Sequence, residues 1–230
     1  MALYAIGDLH LSLRSNKPME IFGDGWRDYV ARIREGFSVL TEDDVTVLCG
    51  DLSWGMSLEE SLEDFRFIDA LPGKKYLLKG NHDYWWNTAA KMERFFAENG
   101  LTTMEILHNN CRFYGDTALC GTRGWFYELD NQGTHNEKML AREVGRLEIS
   151  LKMAGESCEK ICFLHYPPLY QGYECPEILR LLQRYGVKEC YFGHLHGAAQ
   201  KRALEGRHYN TEFHLVAADY LDFTPVKICD

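Results

Sequence analysis

Short apolar runs recur along this chain, and longer segments with helical periodicity lie between them. Each run is continuously apolar and does not alternate strictly with polar residues. Such runs are typical of strands that are buried on both faces of a sheet beneath covering helices. We therefore predict an α/β layered fold, with strands at residues 3–6, 45–49, 76–78, 161–164 and 190–192.

The segments between the runs predict helices. Within residues 24–40, Tyr29, Ile33 and Phe37 repeat every four residues and so share one helix face. Ser57, followed three residues later by Glu60, has the spacing of a capping box and predicts the start of a second helix. Further helices are predicted over residues 88–99, 136–153 and 176–185. Residues 111–121 and 212–217 look extended, which gives enough strands for two packed sheets.

The size and composition of the chain indicate one domain over residues 1–230. With 230 residues, of which 46% are hydrophobic, the chain can bury a sizeable core. No apolar stretch approaches the roughly 20 residues that cross a bilayer. The chain enters a strand at once, without a basic leader or cleavage site, so we expect a cytoplasmic protein with no membrane partner. Eight cysteines without paired CxxC spacing are interpreted as reduced core residues.

The formal net charge of −9 bears on the partners that the protein can attract. Its long-range field repels polyanions, so long nucleic acid is a disfavoured substrate. Acidic side chains are nevertheless needed wherever divalent cations are held. Net charge alone does not distinguish these two uses, and the sequence leaves the oligomeric state open.

Polar clusters follow most of the apolar runs at the point where each run ends. Taken singly, a histidine or aspartate after a strand is more often a cap or turn residue than a metal ligand. In open α/β sheets, however, the loops beyond the carboxyl ends of the strands converge on one crevice, so these clusters can form a single site. They are Gly7-Asp8-Leu9-His10, Gly50-Asp51, Gly80-Asn81-His82-Asp83, His165 and Gly193-His194-Leu195-His196.

The ligand types in these clusters indicate which metals they hold. Carboxylate, imidazole and amide groups together suit manganese, iron or zinc, whereas magnesium and calcium prefer sites made almost wholly of oxygen. One carboxylate can bridge two cations that lie roughly 3.5–4 Å apart. Asp51, flanked by histidine-bearing clusters on either side in the chain, is the natural bridge.

In this order, the clusters resemble those of the calcineurin-like metallophosphoesterases over nearly the whole chain. The resemblance implies a four-layer αββα sandwich of two mixed sheets flanked by helices, with the metal site at the C-terminal ends of strands. It also implies that His82 faces the substrate phosphate and that the adjacent Asp83 orients it. It implies two metal ions, one held by Asp8, His10, Asp51 and His196, and the other by Asp51, Asn81, His165 and His194.

These residues favour a hydrolase that cleaves a small soluble phosphomonoester or phosphodiester. Two cations can lower the pKa of a bridging water and so supply the hydroxide that attacks phosphorus. The imidazole of His82, with an ordinary pKa of about 6.5, can protonate the leaving oxygen. Leu-Ser-Trp-Gly after Gly50-Asp51 departs from the protein phosphatase branch and argues against protein dephosphorylation. The alternative is a catalytically silent scaffold or binding module that keeps the fold and the metals.

Aromatic and basic residues beside the clusters are candidates for contact with the substrate. Aromatic faces can stack on a planar group, and an arginine can hold a phosphate through two hydrogen bonds. The same aromatic residues can instead simply pack loops against the core. The candidates are Trp54, Tyr84, Trp85 and Arg123.

Overall fold

The computed structural model describes residues 1–15, 17–125 and 134–230. The strands in chain order are β1 (Leu3–Ile6), β2 (Val45–Leu48), β3 (Lys74–Leu77), β4 (Met104–Ile106), β5 (Cys111–Tyr114), β6 (Thr117–Thr122), β7 (Glu159–Leu164), β8 (Leu169–Tyr170), β9 (Tyr173–Glu174), β10 (Glu189–Phe192), β11 (Gly206–His208), β12 (Thr211–Leu215) and β13 (Val226–Cys229). The α-helices are α1 (Tyr29–Phe37), α2 (Leu62–Asp69), α3 (Ala89–Glu98), α4 (Thr134–Met153) and α5 (Pro176–Arg184). Short 3₁₀ helices cover Met19–Phe22, Asp24–Trp26 and Gly197–Arg202.

Two large mixed sheets contain most of these strands. Five strands form the first sheet in the order β13-β1-β2-β3-β4, and six form the second in the order β11-β12-β10-β7-β6-β5. Strands β1 to β4 run parallel to one another, as do β6, β7, β10 and β12. The antiparallel strands β13, β11 and β5 lie at sheet edges. Each sheet therefore presents the carboxyl ends of its parallel strands on one side.

The two sheets pack face to face through a buried apolar layer. Leu3 and Val47 of the first sheet share this layer with Leu119 and Phe163 of the second. Side chains at these positions are continuously apolar because both faces of each sheet are covered, as the apolar runs predicted.

Helices cover the outer face of each sheet. Phe37 of α1, Phe65 of α2 and Phe96 of α3 belong to the apolar cluster on the first sheet, and Leu147 of α4 and Ile178 of α5 belong to the cluster on the second. The resulting four layers confirm the predicted αββα class. Within the described ranges, no helix is both long and apolar enough to cross a bilayer.

Helix starts differ most from the sequence prediction. The helix predicted over residues 24–40 begins only at Tyr29, because Asp24–Trp26 is a 3₁₀ turn and Asp28 has a left-handed φ of 53°. The helix predicted from Ser57 is α-helical only from Leu62, although the N–H of Glu60 does donate to Ser57 Oγ at 3.2 Å. Strands β4, β8, β9 and β11 were not predicted, since two or three residues form too short a pattern.

All eight cysteines are free thiols, and six of them are buried. Cys120, Cys162 and Cys190 lie side by side on neighbouring strands, where they pack against the helices of the second sheet. They fill the core as small apolar side chains, in agreement with the sequence interpretation.

One buried lysine supports the end of α2. The Lys75 side chain is fully buried, and its Nζ donates to the carbonyl oxygens of Asp69, Leu71 and Gly73 at 2.5–3.2 Å. Burial lowers the pKa of Lys75 to about 8, so the ammonium group is still charged at pH 7. A cation at a helix C-terminus satisfies carbonyls that have no intrahelical partner.

We predict that Lys75→Met destabilises the protein by about 2 kcal/mol or more, because it removes the donor that the buried carbonyl groups of Leu71 and Gly73 share. Lys74→Met is the matched control, since the neighbouring Lys74 side chain is 43% exposed and pairs with Glu105 at the surface. Its expected cost is below about 1 kcal/mol. Urea denaturation of both variants measures the difference, and equal stabilities would contradict the role of Lys75.

Candidate metal centre

Every predicted ligand follows the carboxyl end of a parallel strand. Because the parallel strands of both sheets end on the same side, loops that are far apart in sequence meet in one crevice. The ligand atoms of Asp8, His10 and His196 lie within 4.8 Å of one another, as do those of Asp8, Asp51 and His165. The order of elements is β1 before Asp8 and His10, β2 before Asp51, β3 before Asn81, β7 before His165, and β10 before His194 and His196.

The backbone at several ligand positions is strained. Asp8, His10, Asp51 and His194 have left-handed φ values of 58°, 45°, 53° and 73°. Residues other than glycine rarely adopt this conformation, because the Cβ atom crowds the following carbonyl. Strain of this kind persists where surrounding structure enforces it, and it is common at functional sites.

Glycines let the strand-end loops approach the two aspartates. A Cβ atom at Gly80 would lie 2.0 Å from Asp51 Oδ1, and one at Gly193 would lie 2.3 Å from Asp8 Oδ2. Any other residue at either position would displace a carboxylate. The glycines in the Gly-Asn and Gly-His motifs are therefore required by close contact.

The first cluster is formed by Asp8, His10 and His196. His196 Nε2 lies 3.3 Å from Asp8 Oδ1 and 3.2 Å from His10 Nε2. The other ring nitrogen of His196, Nδ1, lies 2.8 Å from Asp219 Oδ1. A carboxylate behind a histidine fixes the ring orientation and raises its basicity, as is usual for metal-binding histidines.

The second cluster surrounds His165. Its Nε2 atom lies 2.7 Å from Asn81 Oδ1 and 3.5 Å from Asp51 Oδ2, while Nδ1 lies 3.0 Å from the carbonyl oxygen of Cys49. Asp51 Oδ2 is also 3.8 Å from His10 Nε2. The same carboxylate oxygen therefore faces a histidine of each cluster, which is the position required of a bridging ligand.

The hydrogen-bonding capacity of His165 shows that this cluster fits a cation. Burial lowers the pKa of His165, so its imidazole is neutral and carries one N–H. Both ring nitrogens nevertheless face oxygen acceptors. The nitrogen that carries no hydrogen presents a lone pair, which can serve as a metal ligand. If the ring hydrogen is on Nδ1, it is donated to the carbonyl oxygen of Cys49. Nε2, beside Asn81 and Asp51, is then the candidate ligand atom.

The charges of the two aspartates also fit a cation. Both side chains are buried, and ligand atoms of Asp8 and Asp51 lie within 4.8 Å of each other. Burial and the charge of Asp8 raise the pKa of Asp51 to about 8. Burial opposes ionisation of Asp8 too, but His196, which contacts it directly, holds its pKa well below the ordinary value.

His196 supplies the positive charge that pairs with Asp8. Burial would lower the pKa of this histidine, but the carboxylates of Asp8 and Asp219 raise it to about 10. Protein groups alone thus neutralise one aspartate and leave the other protonated. Divalent cations would neutralise both and would displace the proton of His196, as metal binding commonly does.

His194 takes a different place from the other predicted ligands. Its backbone N–H donates to both carboxylate oxygens of Asp8, at 3.0 and 3.1 Å. Its ring packs against His165 and Tyr166, with centroid distances of 5.2 and 4.5 Å. The imidazole belongs to neither cluster of the described residues, so its role as a ligand stays a prediction.

His82 lies beside the clusters and has an unused nitrogen. Its backbone N–H donates to Asp51 Oδ1 at 2.7 Å, while its ring lies 5.8 Å from the ring of His10. The Nδ1 atom is buried without a hydrogen-bond partner among the described residues. Burial, followed by the positive charge of nearby groups, lowers the pKa of His82 to about 4. In the metal-free protein this pKa lies below the ordinary value of an imidazole, and the role of His82 as proton donor stays a prediction.

Asp83 holds the loops of the centre together. Its carboxylate accepts backbone N–H groups of Asp51, Leu52 and Gly80 at 2.7–2.9 Å, and the indole N–H of Trp85 at 3.0 Å. Within the described residues, no ion pair or hydrogen bond joins it to the imidazole of His82. The implied task of orienting His82 stays a prediction, whereas the observed contacts fix the β2 and β3 loops to each other.

The four predicted substrate contacts divide into different environments. Trp85 is fully buried against Phe65, at a centroid distance of 4.7 Å, so the prediction that it contacts substrate is wrong. Its indole N–H donates a hydrogen bond to Asp83 instead. Tyr84 is 53% exposed beside His82, and Trp54 stacks on His10 with centroids 5.1 Å apart.

Arg123 follows β6 at the edge of the centre, but its guanidinium is already engaged. It lies 3.5 Å from the buried carboxylate of Glu143 and stacks over Trp125. The backbone carbonyl of Arg123 accepts the N–H of His165 at 3.1 Å. Arg123 therefore supports the loop that carries a ligand, and its contact with substrate stays a prediction.

Two residues of the site were missed in the sequence. Asp219 follows parallel strand β12, so the same strand-end rule would have found it, but no motif marks it. Trp26 lies within the helix predicted over residues 24–40 and was not a candidate for the site, yet its ring centroid lies 5.7 Å from those of His10 and His196. Only the folded chain brings the segment before α1 to the ends of β1 and β10.

Comparison with known proteins shows the family to which the chain belongs. The profile of the calcineurin-like phosphoesterase family matches residues 1–198, whereas none of the curated proteins matches the chain. Among solved structures, the phosphopantetheinyl hydrolase from Mycobacterium tuberculosis is similar, with 13% identity and a TM-score of 0.61 over 99% of this chain and 95% of that chain.

Two further solved structures are similar in fold. A protein of unknown function from Aquifex aeolicus has 14% identity and a TM-score of 0.53 over 98% of this chain and 95% of that chain. A protein from Thermus thermophilus has 11% identity and a TM-score of 0.52 over 99% of this chain and 97% of that chain. At these identities the likeness concerns the fold, whereas the family profile covers most of the chain. The chain belongs to the calcineurin-like phosphoesterase family.

Proposed function

We propose that the protein is a metal-dependent phosphohydrolase that cleaves a small soluble phosphomonoester or phosphodiester. The observation that carries this proposal is the convergence of two clusters in which imidazole nitrogens and carboxylate oxygens face one another. Family membership supports hydrolysis of a phosphoester bond. A structural neighbour that is a phosphopantetheinyl hydrolase is consistent with a hydrolytic role for this fold.

The proposed ligand sets follow the two clusters. The mixture of imidazole, carboxylate and amide donors suits manganese, iron or zinc. When bound, two such cations would activate water as the nucleophile and neutralise charge on the phosphoryl oxygens. Asp51 would be shared, with Asp8, His10 and His196 on one side, and Asn81, His165 and His194 on the other.

The protein's own groups position the reacting phosphate. The neutral ring of His82 carries one N–H and lies beside His10 in the crevice. There it can donate a hydrogen bond to the leaving oxygen. Asp83 keeps the β2 and β3 loops at a fixed separation, which holds His82 relative to Asp51. Positioning of this kind lowers the barrier because the groups need not reorganise during the reaction.

The proposed substrate is small and the proposed compartment is the cytoplasm. A net charge of −9 repels long polyanions at a distance, whereas a single phosphate is attracted once cations occupy the crevice. The eight free thiols fit a reducing compartment.

We predict that the purified protein with Mn²⁺ hydrolyses p-nitrophenyl phosphate, bis-p-nitrophenyl phosphate or both, and that Asp51→Asn loses bound metal together with activity. Asparagine keeps the shape of Asp51 but removes the negative charge that bridges two cations. Metal content by mass spectrometry and initial rates are measured on the same preparations. Asp116→Asn, in the exposed turn between β5 and β6, is the control and should match the parent protein.

Inactivity of the parent towards these esters and a panel of mononucleotides, cyclic nucleotides, dinucleotides and sugar phosphates, with Mn²⁺, Fe²⁺ or Zn²⁺, would refute the hydrolase proposal. Two metal ions retained by Asp51→Asn would refute the bridge. The relative rates of monoester and diester assign the reaction type.

His82→Ala is predicted to keep the metal of the parent protein and to lose about 100-fold or more in kcat, because it removes a donor to the leaving oxygen without removing a ligand. Metal content and kcat are measured together. His208→Ala is the control, since His208 lies on β11 away from the clusters. A His82→Ala variant as active as the parent would rule out this role.

A further inference from the structure

An apolar pocket adjoins the first metal cluster. It encloses about 320 Å³, and its walls are Met19, Phe22, Trp26 and Trp54. We call it the aromatic pocket. This volume is at the lower end of small-molecule sites and exceeds the size of a single aromatic ring.

The segment between β1 and α1 builds most of this pocket. Its 3₁₀ helix, Met19–Phe22, places Met19 against Trp54, whose indole N–H lies 3.2 Å from the Met19 sulfur. The ammonium group of Lys17 lies 4.3 Å from the Trp54 ring centroid. These contacts fix Trp54, which is only 8% exposed, as a preformed wall.

The pocket opens directly onto the catalytic groups. His10, His82 and His196 also line it. Trp54 lies 4.4 Å from the ring of His82 and 5.1 Å from that of His10, measured between centroids. A substituent of a phosphate held at the first cluster would therefore enter the pocket without crossing solvent.

The lining selects for an uncharged ring. The residues that form it include neither a carboxylate nor a carboxamide side chain, and its ionisable side chains are the three histidines. Sugar hydroxyls placed against the four apolar walls would lose hydrogen bonds to water without replacement, which is costly. A planar apolar ring loses no hydrogen bonds to water and gains contact with the three aromatic walls, Phe22, Trp26 and Trp54.

Phe22 leaves apolar surface for an occupant to cover. Its side chain is 64% exposed, although it lines the pocket. The adjacent Ile21 is 73% exposed and is not part of the lining. An aromatic ring in the pocket would bury part of Phe22 but would leave Ile21 unchanged.

We propose that the aromatic pocket binds a planar, uncharged ring carried by the phosphoester substrate, so that the enzyme prefers aryl or nucleobase-bearing phosphoesters to sugar phosphates. This inference names the substrate class of the proposed phosphohydrolase and rests on that function. The ring can be joined directly to the phosphoester oxygen or held through a sugar, and the two cases share the same recognition chemistry.

Binding of non-hydrolysable phosphonates tests the pocket without turnover. Phenylphosphonate should bind the Zn²⁺-loaded protein about tenfold more tightly than methylphosphonate, since burial of roughly 60 Å² of ring surface is worth such a gain. Dissociation constants come from tryptophan fluorescence, because Trp26 and Trp54 form two of the walls. A second pair, adenosine 5′-phosphate against ribose 5-phosphate, tests a ring held through a sugar.

Phe22→Ala should reduce the ring preference about threefold or more, whereas Ile21→Ala on the same short helix should leave it unchanged. A ring preference in either pair that falls only in Phe22→Ala supports the proposal. Equal affinities within both pairs, no binding of any probe, or equal effects of the two variants would overturn it. Absence of hydrolysis in the ester panel would refute the proposed function. The ratio of dissociation constants within each pair tests the pocket independently of hydrolysis.

Discussion

Asp8 and Asp51 bring two carboxylates into the interior of the protein, with ligand atoms within 4.8 Å of each other. Burial and the charge of Asp8 oppose ionisation of Asp51, whereas His196 supplies a positive charge that pairs with Asp8. The pKa of Asp51 rises as a consequence, while His165 directs both ring nitrogens at oxygen atoms. Divalent cations between these groups would relieve each of these costs at once.

The fold can be understood as the support for this arrangement. Parallel strands of two sheets deliver the ligands to one crevice, and left-handed backbone at Asp8 and Asp51 turns the chain sharply after each strand. Gly80 and Gly193 allow neighbouring loops to touch the carboxylates, and Asp83 ties two of these loops together. Much of the polar structure around the centre thus serves to hold the two aspartates in place.

Much of this organisation could be predicted from sequence, because it depends on local patterns. Buried strands appear as apolar runs, and the ligands follow them directly. Contacts that depend on tertiary structure could not be predicted: Trp54 and Trp85 both follow a motif, yet one lines a pocket and the other is buried against Phe65. The lowered pKa of His82 also results from burial and neighbours that come together only in the folded chain. Asp219 lacked a motif, although its position after a strand was a usable signal.

We propose that the crevice holds two cations that share Asp51. Anomalous diffraction from a crystal grown with Mn²⁺ locates such cations. Two anomalous peaks are expected within about 4 Å of each other, one beside Asp8, His10 and His196 and the other beside Asn81 and His165, with Asp51 between them. A single peak, two peaks that do not share Asp51, or no peak in the crevice would contradict it.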